Sequence, residues 1–213
     1  MTNVVVVDVG LGNLRSVAKA LEVAGLEHGI APVRSSDPEV VRRADAIVVP
    51  GQSNFDGFLT ALGPALYEVL LEKLKAGAPY LGICLGLQIL FESSEEAPGF
   101  KGLGWFKGSV KKLIGAPGIK IPHMGWNALE LRAGGHRELS AAGGNGEHVY
   151  FVHSYHAVPV DPDVTKATVA YGPNAVTAAV ARDHVLATQF HPEKSQAAGI
   201  RLLHSFLGSL STR

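Results

Sequence analysis

The sequence has one cysteine, no excess of charge of either sign and no long apolar run, and each absence excludes a class of protein. Cys84 alone cannot form an internal disulfide or supply the cysteine cluster of a structural zinc site. The 19 basic and 19 acidic residues cancel, and no basic run is denser than Lys111-Lys112, which argues against a nucleic-acid partner. No apolar stretch approaches the ~18 residues of a membrane span. We therefore expect no metal, no nucleic-acid partner and no membrane insertion.

Length and composition indicate an ordinary globular protein. The chain has 213 residues, 46% of them hydrophobic, which is enough to bury a substantial core and predicts one domain over residues 1–213. The first residues, Met1-Thr2-Asn3, lead into a run of valines without the basic segment of a secretory signal. We therefore expect a cytoplasmic location, where a lone cysteine is more plausibly catalytic than structural.

The first half of the chain alternates strand and helix patterns. Continuous apolar strands are predicted at residues 4–9, 46–49 and 79–83, and helical spacing follows each of them, at 13–24, at 55–74 with an interruption at Gly63-Pro64, and at 85–92. Strands that are apolar throughout are typical of a parallel sheet with helices on both faces. This predicts an α/β fold with a mostly parallel central sheet.

The second half carries short strand patterns instead. They lie at residues 110–113, 127–131, 149–152, 168–169, 175–181 and 185–190, which indicates antiparallel or mixed pairing. Glycine-rich turns mark residues 133–147 as an exposed excursion. A final helix is predicted at 197–210, packed on the sheet. The central sheet is therefore expected to be mixed overall.

The lone cysteine lies in the segment Gly82-Ile83-Cys84-Leu85-Gly86-Leu87-Gln88, between a predicted strand and a predicted helix. Small residues two positions to either side allow the sharp strand-to-helix turn of a nucleophile elbow. Such a turn directs the side chain to a helix N-terminus, where the unpaired N–H groups and the helix dipole favour a thiolate. The alternative is a buried structural cysteine, since free cysteines are commonly buried.

A base for that nucleophile is found near the carboxyl end, in Gln189-Phe190-His191-Pro192-Glu193-Lys194-Ser195. His191 follows a predicted strand, and Glu193 lies two residues on, where an extended backbone would direct both side chains to one side. A cysteine nucleophile needs a base, and the base needs an orienting acceptor, which these two residues can supply. The alternative is a solvated histidine and glutamate at a strand end. Cys84 and His191 each follow a strand, and α/β sites collect at that edge of a sheet.

Together, G-I-C-L-G-L-Q and H-P-E resemble the class I glutamine amidotransferases. This resemblance implies a flavodoxin-like, three-layer α/β fold, no cofactor, and a Cys-His-Glu triad that hydrolyses L-glutamine to glutamate and ammonia. Four segments are also similar, in order, to the glutaminase subunits of imidazole glycerol phosphate synthases: residues 8–14, P-H-M-G-W-N at 122–127, residues 150–155 and H-P-E-K-S at 191–195. That narrower resemblance implies an enzyme of histidine biosynthesis that passes ammonia to a separate, barrel-shaped cyclase subunit.

The resemblance also implies roles for individual residues. Cys84 attacks the carboxamide carbon, His191 transfers protons and Glu193 orients the imidazole. The oxyanion is bound by the N–H of Leu85 and by the loop containing Gly51 and Gln52. That loop departs from the family pattern at Ser53, where a second glycine is usual.

Two further groups of residues are implied. Ser154 and Tyr155 lie beside the backbone of the substrate, and the cyclase is contacted by Asn13, Met124, Trp126, Tyr150 and Lys194. Trp126 and Tyr150 could instead belong to the core, and Lys194 could be a solvated charge.

One binding residue follows from helical spacing. Gln88 lies one turn after Cys84 and on the same face, so it can reach the polar end of a bound glutamine. Gln88 could also be a surface residue of the helix.

Three other functions remain open: a class I glutaminase that serves another synthase, a catalytically silent subunit of the same fold, and a cysteine hydrolase that acts on peptides.

Overall fold

The computed structural model describes residues 2–133 and 135–210. Its strands are β1 (Val4–Val7), β2 (Val33–Ser35), β3 (Ala46–Gly51), β4 (Tyr80–Cys84), β5 (Ser93–Ser94), β6 (Gly108–Lys112), β7 (His123–Ala128), β8 (Glu130–Leu131), β9 (His148–His153), β10 (Tyr155–Pro159), β11 (Thr165–Tyr171), β12 (Asn174–Arg182) and β13 (Val185–Thr188). The α-helices are α1 (Leu14–Gly25), α2 (Pro38–Arg42), α3 (Phe55–Lys75), α4 (Leu85–Gln88), α5 (Arg137–Ala142) and α6 (Gln196–Leu210). Short 3-10 helices occupy Leu26–His28, Pro162–Val164 and Pro192–Lys194.

The large sheet has the strand order β2-β1-β3-β4-β13-β12-β11-β8. Strands β2, β1, β3, β4 and β13 run parallel, and β12, β11 and β8 add antiparallel pairs. Register brings Gly51 at the end of β3 beside Cys84 at the end of β4. The carboxyl ends of β3, β4 and β13 therefore meet at one edge of the sheet, which is where α/β proteins bind ligands.

A separate apolar core covers each face of this sheet. Side chains of α1, α5 and α6, including Leu21, Leu139 and Leu203, pack on one face. Side chains of α3 and the segment around α4, including Phe58 and Leu87, pack on the other. The predicted α/β fold, with helices on both faces of a mixed and mostly parallel sheet, is confirmed.

Two smaller sheets border the carboxyl edge of the large one. One has the order β10-β6-β5, and the other is the antiparallel pair β7-β9. The second sheet is joined to the end of β13 because the His191 N–H donates to the Tyr150 carbonyl over 2.9 Å. Within the described residues, no helix is both long and apolar enough to cross a membrane.

Most predicted elements differ from the structure only at their ends, and three differ by more than that. Helix 85–92 ends at Gln88, because the i−4 hydrogen bonds of residues 90–92 are not made. The Gly86 carbonyl accepts from the Tyr80 hydroxyl instead, and the Glu92 N–H donates to the Gly108 carbonyl. The strand expected at 127–131 is divided between β7 and β8. The expected exposed excursion 133–147 contains α5, whose Leu139 is fully buried against the core that includes α6.

Candidate active site

Cys84 lies at a strained turn between β4 and α4. Its backbone has φ 56° and ψ −104°, a conformation that costs a non-glycine residue on the order of 1–3 kcal/mol. The flanking glycines are sterically required: a Cβ on Gly82 would lie 2.4 Å from the Gly86 carbonyl oxygen, and one on Gly86 would lie 1.8 Å from that of Val49. The elbow therefore has the geometry that its sequence pattern predicts.

His191 and Glu193 form a buried pair beyond the end of β13. His191 Nδ1 lies 2.8 Å from Glu193 Oε1, and each side chain is only 1% exposed. The extended backbone predicted between them is wrong, because the chain turns there through the 3-10 helix Pro192–Lys194. The His191 carbonyl also accepts a 2.7 Å hydrogen bond from Ser195 Oγ, which fixes this turn.

Nδ1 of His191 is occupied by Glu193, so Nε2 is the nitrogen available to Cys84. Nε2 is buried and has no hydrogen-bond partner of good geometry among the described residues. Burial is the largest effect on His191 and opposes its protonation. The negative charge of Cys84, followed by the hydrogen bond and the charge of Glu193, together outweigh burial and raise the pKa of His191 to about 10. The arrangement therefore favours the imidazolium form of His191, and a cationic histidine is the partner that activates a cysteine nucleophile.

Gln88 is buried on α4 and its side-chain amide is held within the protein. Gln88 Nε2 donates to the Tyr155 carbonyl over 3.0 Å and to Gln189 Oε1 over 3.1 Å. Gln189 in turn places its Nε2 3.5 Å from Cys84 Sγ. Gln189 is not predicted from the sequence, although one signal was available: it is a polar residue in an apolar run, two positions before His191.

The loop after β3 packs directly on these residues. Gly51, the last residue of β3 before this loop, is buried, and a Cβ there would lie 2.7 Å from Leu85 Cβ and 2.8 Å from the ring of Phe58. A cavity of about 10 Å³ is lined by residues that include Asn13, Gly51, Gln52, His191 and Glu193. That volume holds at most about one water molecule, so little free space is left among the residues that line it.

Ser154 connects β9 to β10 beside this site, and Tyr155 is the first residue of β10. Both are half-buried. The Ser154 carbonyl accepts from the Leu113 N–H over 2.9 Å, and His153 Nδ1 lies 2.9 Å from the Tyr155 carbonyl oxygen. The backbone at this junction is therefore fixed by hydrogen bonds.

Four of the residues expected at a partner surface lie together on the β7-β9 sheet and the adjoining turn. Trp126 is 45% exposed and pairs with Tyr150 across the sheet, with ring centroids 6.0 Å apart. Lys194 Nζ lies 5.7 Å from the centroid of the Tyr150 ring, which is a cation–π distance. Met124, on the same strand as Trp126, is 61% exposed. Asn13 lies apart from them, before α1, where it lines the small cavity.

The chain is similar over nearly its whole length to known proteins. The family model described as "Glutamine amidotransferase class-I" matches residues 5–208. The "Imidazole glycerol phosphate synthase subunit HisH" of Thermosynechococcus vestitus is 46% identical over 211 residues, with 96% of this chain and 95% of that protein covered. The protein of the same name from Pyrococcus furiosus is 42% identical over 208 residues, with 97% and 98% covered.

Solved structures support the fold. A crystal structure of a glutamine amidotransferase superposes with a TM-score of 0.70 at 20% identity and covers 99% of both chains. This likeness concerns the architecture alone. From the family match and the full-length relatives, the chain belongs to the class I glutamine amidotransferase family.

Proposed function

We propose that this chain is the glutaminase subunit of an imidazole glycerol phosphate synthase. In this role it hydrolyses L-glutamine in the cytoplasm and supplies ammonia to a cyclase subunit of histidine biosynthesis. The observation that carries the proposal is the strained Cys84 elbow beside the buried His191–Glu193 pair, in a chain 46% identical to a protein named as that subunit. The lyase reaction that uses the ammonia would belong to the partner.

Acylation follows from the charge state of the site. The Cys84 thiolate attacks the carboxamide carbon of glutamine, and the His191 imidazolium gives its Nε2 proton to the departing ammonia. Glu193 keeps the ring oriented through Nδ1, from which it lies 2.8 Å. The products of this step are a glutamyl thioester, ammonia and a neutral imidazole.

Deacylation reverses the proton transfer. Neutral His191 takes a proton from water as the water oxygen attacks the thioester carbonyl, and glutamate leaves as the thiolate re-forms. In both steps the tetrahedral oxyanion needs donors, for which we propose the Leu85 N–H and the Gly51–Gln52 segment. One such donor is worth about 10²–10³ in rate. Gly51 is beside Cys84 in the sheet register, which supports this assignment.

The exposed aromatic surface of β7 and β9 is the proposed docking site for the cyclase. Trp126 and Met124 are large apolar side chains left in solvent, and Tyr150 is held between Trp126 and Lys194. Because the Tyr150 carbonyl accepts the His191 N–H, a partner that contacts Tyr150 is one backbone hydrogen bond from the catalytic base. Ammonia released there could be channelled to the partner without reaching solvent.

The test is a glutamate-release assay with the purified chain and a cyclase subunit. We expect little turnover of glutamine by the chain alone and strong stimulation by the cyclase with its ligand bound. Cys84→Ala in the same complex should associate normally and release no glutamate. Glutamate release that is unaffected by any cyclase, or that survives in Cys84→Ala, would refute the proposal. Binding without turnover in the intact chain would support a silent subunit instead.

A further inference from the structure

Gln189 is fully buried beside the nucleophile and has no part in the mechanism above. It lies just beyond β13, and its backbone N–H donates to the Ala178 carbonyl over 2.8 Å. An uncharged amide in an apolar core is costly unless both its oxygen and its nitrogen are hydrogen-bonded. Both ends of Gln189 have partners: Gln88 Nε2 at its oxygen and Cys84 Sγ at its nitrogen.

The orientation of both amides follows from one backbone carbonyl. The Tyr155 oxygen can only accept, so the Gln88 side chain must turn its NH₂ group towards it. The second hydrogen of that NH₂ group then meets the Gln189 side chain, which must present its oxygen. Consequently the NH₂ group of Gln189 faces Cys84 Sγ, and the sulfur receives a donor rather than an acceptor.

The Tyr155 carbonyl is itself held in place. His153 Nδ1 lies 2.9 Å from it, and His153 Nε2 lies 3.1 Å from His123 Nδ1. Burial lowers the pKa of His153 to about 3, so its ring is neutral near pH 7 and carries one N–H. That hydrogen belongs on Nδ1, where the partner can only accept. The amide orientations therefore begin from a fixed backbone position.

We propose that Gln189 is a positioning residue for the glutaminase reaction, which orients the Cys84 sulfur and the Gln88 amide at the same time. Its NH₂ group stabilises the thiolate, because a hydrogen bond to the charged form of a group favours that form. Its oxygen holds the Gln88 NH₂ group, which leaves Gln88 Oε1 as the acceptor that can receive the carboxamide N–H of glutamine. This role rests on the proposed function, but its effect on Cys84 can be measured without glutamine or cyclase.

Two near-isosteric variants separate the two contacts. Gln189→Glu keeps an oxygen for Gln88 but replaces the donor at Cys84 with a carboxylate oxygen. Gln189→Met removes both contacts. Thr188→Val is the matched control, since Thr188 is also fully buried and its Oγ1 donates to the Phe190 carbonyl over 3.0 Å, away from Cys84.

The first measurement is the rate of Cys84 alkylation by iodoacetamide in the folded chain, followed by mass spectrometry between pH 6 and 9. Loss of a hydrogen bond to a charged sulfur should slow alkylation of Gln189→Met at pH 7 about tenfold, and that of Gln189→Glu further. The pH profile of both variants should move to higher pH, whereas Thr188→Val should keep the wild-type profile. A purely structural role would lower the unfolding temperature and leave the profile in place, which would overturn the proposal.

The second measurement is glutaminase turnover in the complex with the cyclase. Gln189→Glu should lower kcat by about tenfold or more with KM within about twofold, while Gln189→Met should also raise KM, because Gln88 is released. Wild-type kcat in both variants would refute the role. If either variant does not fold, Gln189→Asn takes its place. Its amide is withdrawn by one carbon from both partners, so the results expected for Gln189→Met apply to it. Absence of turnover in the wild-type complex would count against the proposed function. The ranking of the Cys84 alkylation rates of wild type and variants would still decide the role of Gln189.

Discussion

The substitution Gly86→Ala tests whether the position of Cys84, the proposed nucleophile, depends on the tight elbow. A Cβ on Gly86 would lie 1.8 Å from the Val49 carbonyl oxygen, whereas ordinary contact begins near 3.4 Å, so β3 and the start of α4 must separate by about 1.6 Å. The clash is with a backbone carbonyl of β3, so no side chain can rotate away to relieve it. We expect the free energy of unfolding to fall by about 1–3 kcal/mol, the usual cost of overpacking.

The same separation should move Cys84 relative to His191. A displacement of about 1 Å at a reacting atom costs on the order of 100-fold in rate, so glutaminase turnover in the cyclase complex should fall by at least that factor. Urea unfolding and glutamate release measure the two effects. Gly115→Ala is the control, because its nearest neighbour beyond the adjacent residues is Ile121 Cδ1 at 3.8 Å. If Gly86→Ala unfolded within about 0.5 kcal/mol of wild type and kept its turnover, the steric account of the elbow would be wrong.

Three further predictions concern the base and the partner surface. Glu193→Gln should impair turnover less than His191→Ala, since an orienting acceptor can be partly replaced and a proton carrier cannot, and the reverse order in a cyclase-saturated assay would remove Glu193 from the triad. The pKa of His191 is raised from 6.5 to about 10, so protonation of His191 stabilises the fold fully below pH 6.5, and this stabilisation is lost as the pH rises towards 10. Urea unfolding should show this loss of stability in wild type and a smaller loss in His191→Ala. Equal slopes of unfolding free energy against pH in the two proteins would contradict the prediction. Trp126→Ala and Lys194→Ala should weaken cyclase binding or stimulation while the unfolding temperature stays near that of wild type, and unchanged affinity and stimulation in a titration would exclude this surface.

The parts of the fold that could be predicted are those with a local cause. Strands β3, β4 and β13 are buried on both faces, so their sequences are mainly apolar and lack the alternating pattern of a half-buried strand. The elbow also has a local cause, since the need for Gly82 and Gly86 arises within a few residues of Cys84, and it could therefore be predicted.

The parts that could not be predicted depend on distant segments. Helix α4 stops at Gln88 because Tyr80 takes the Gly86 carbonyl and Gly108 takes the Glu92 N–H, and no pattern within 85–92 reveals that competition. Helix α5 is held by packing against α6, about 60 residues later, so its glycine-rich surroundings suggest only a loop. Gln189 meets Gln88 across 101 residues, and its role is visible only when β4, β10 and β13 are assembled.

The most direct test of the central claim is to trap the covalent intermediate. The complex with the cyclase is mixed with glutamine, quenched in acid within a single turnover, and digested for mass spectrometry. The account predicts a glutamyl adduct on the peptide that carries Cys84, formed before glutamate appears and absent from Cys84→Ala. Glutamate formation at full rate with Cys84 unmodified at every time point would contradict it.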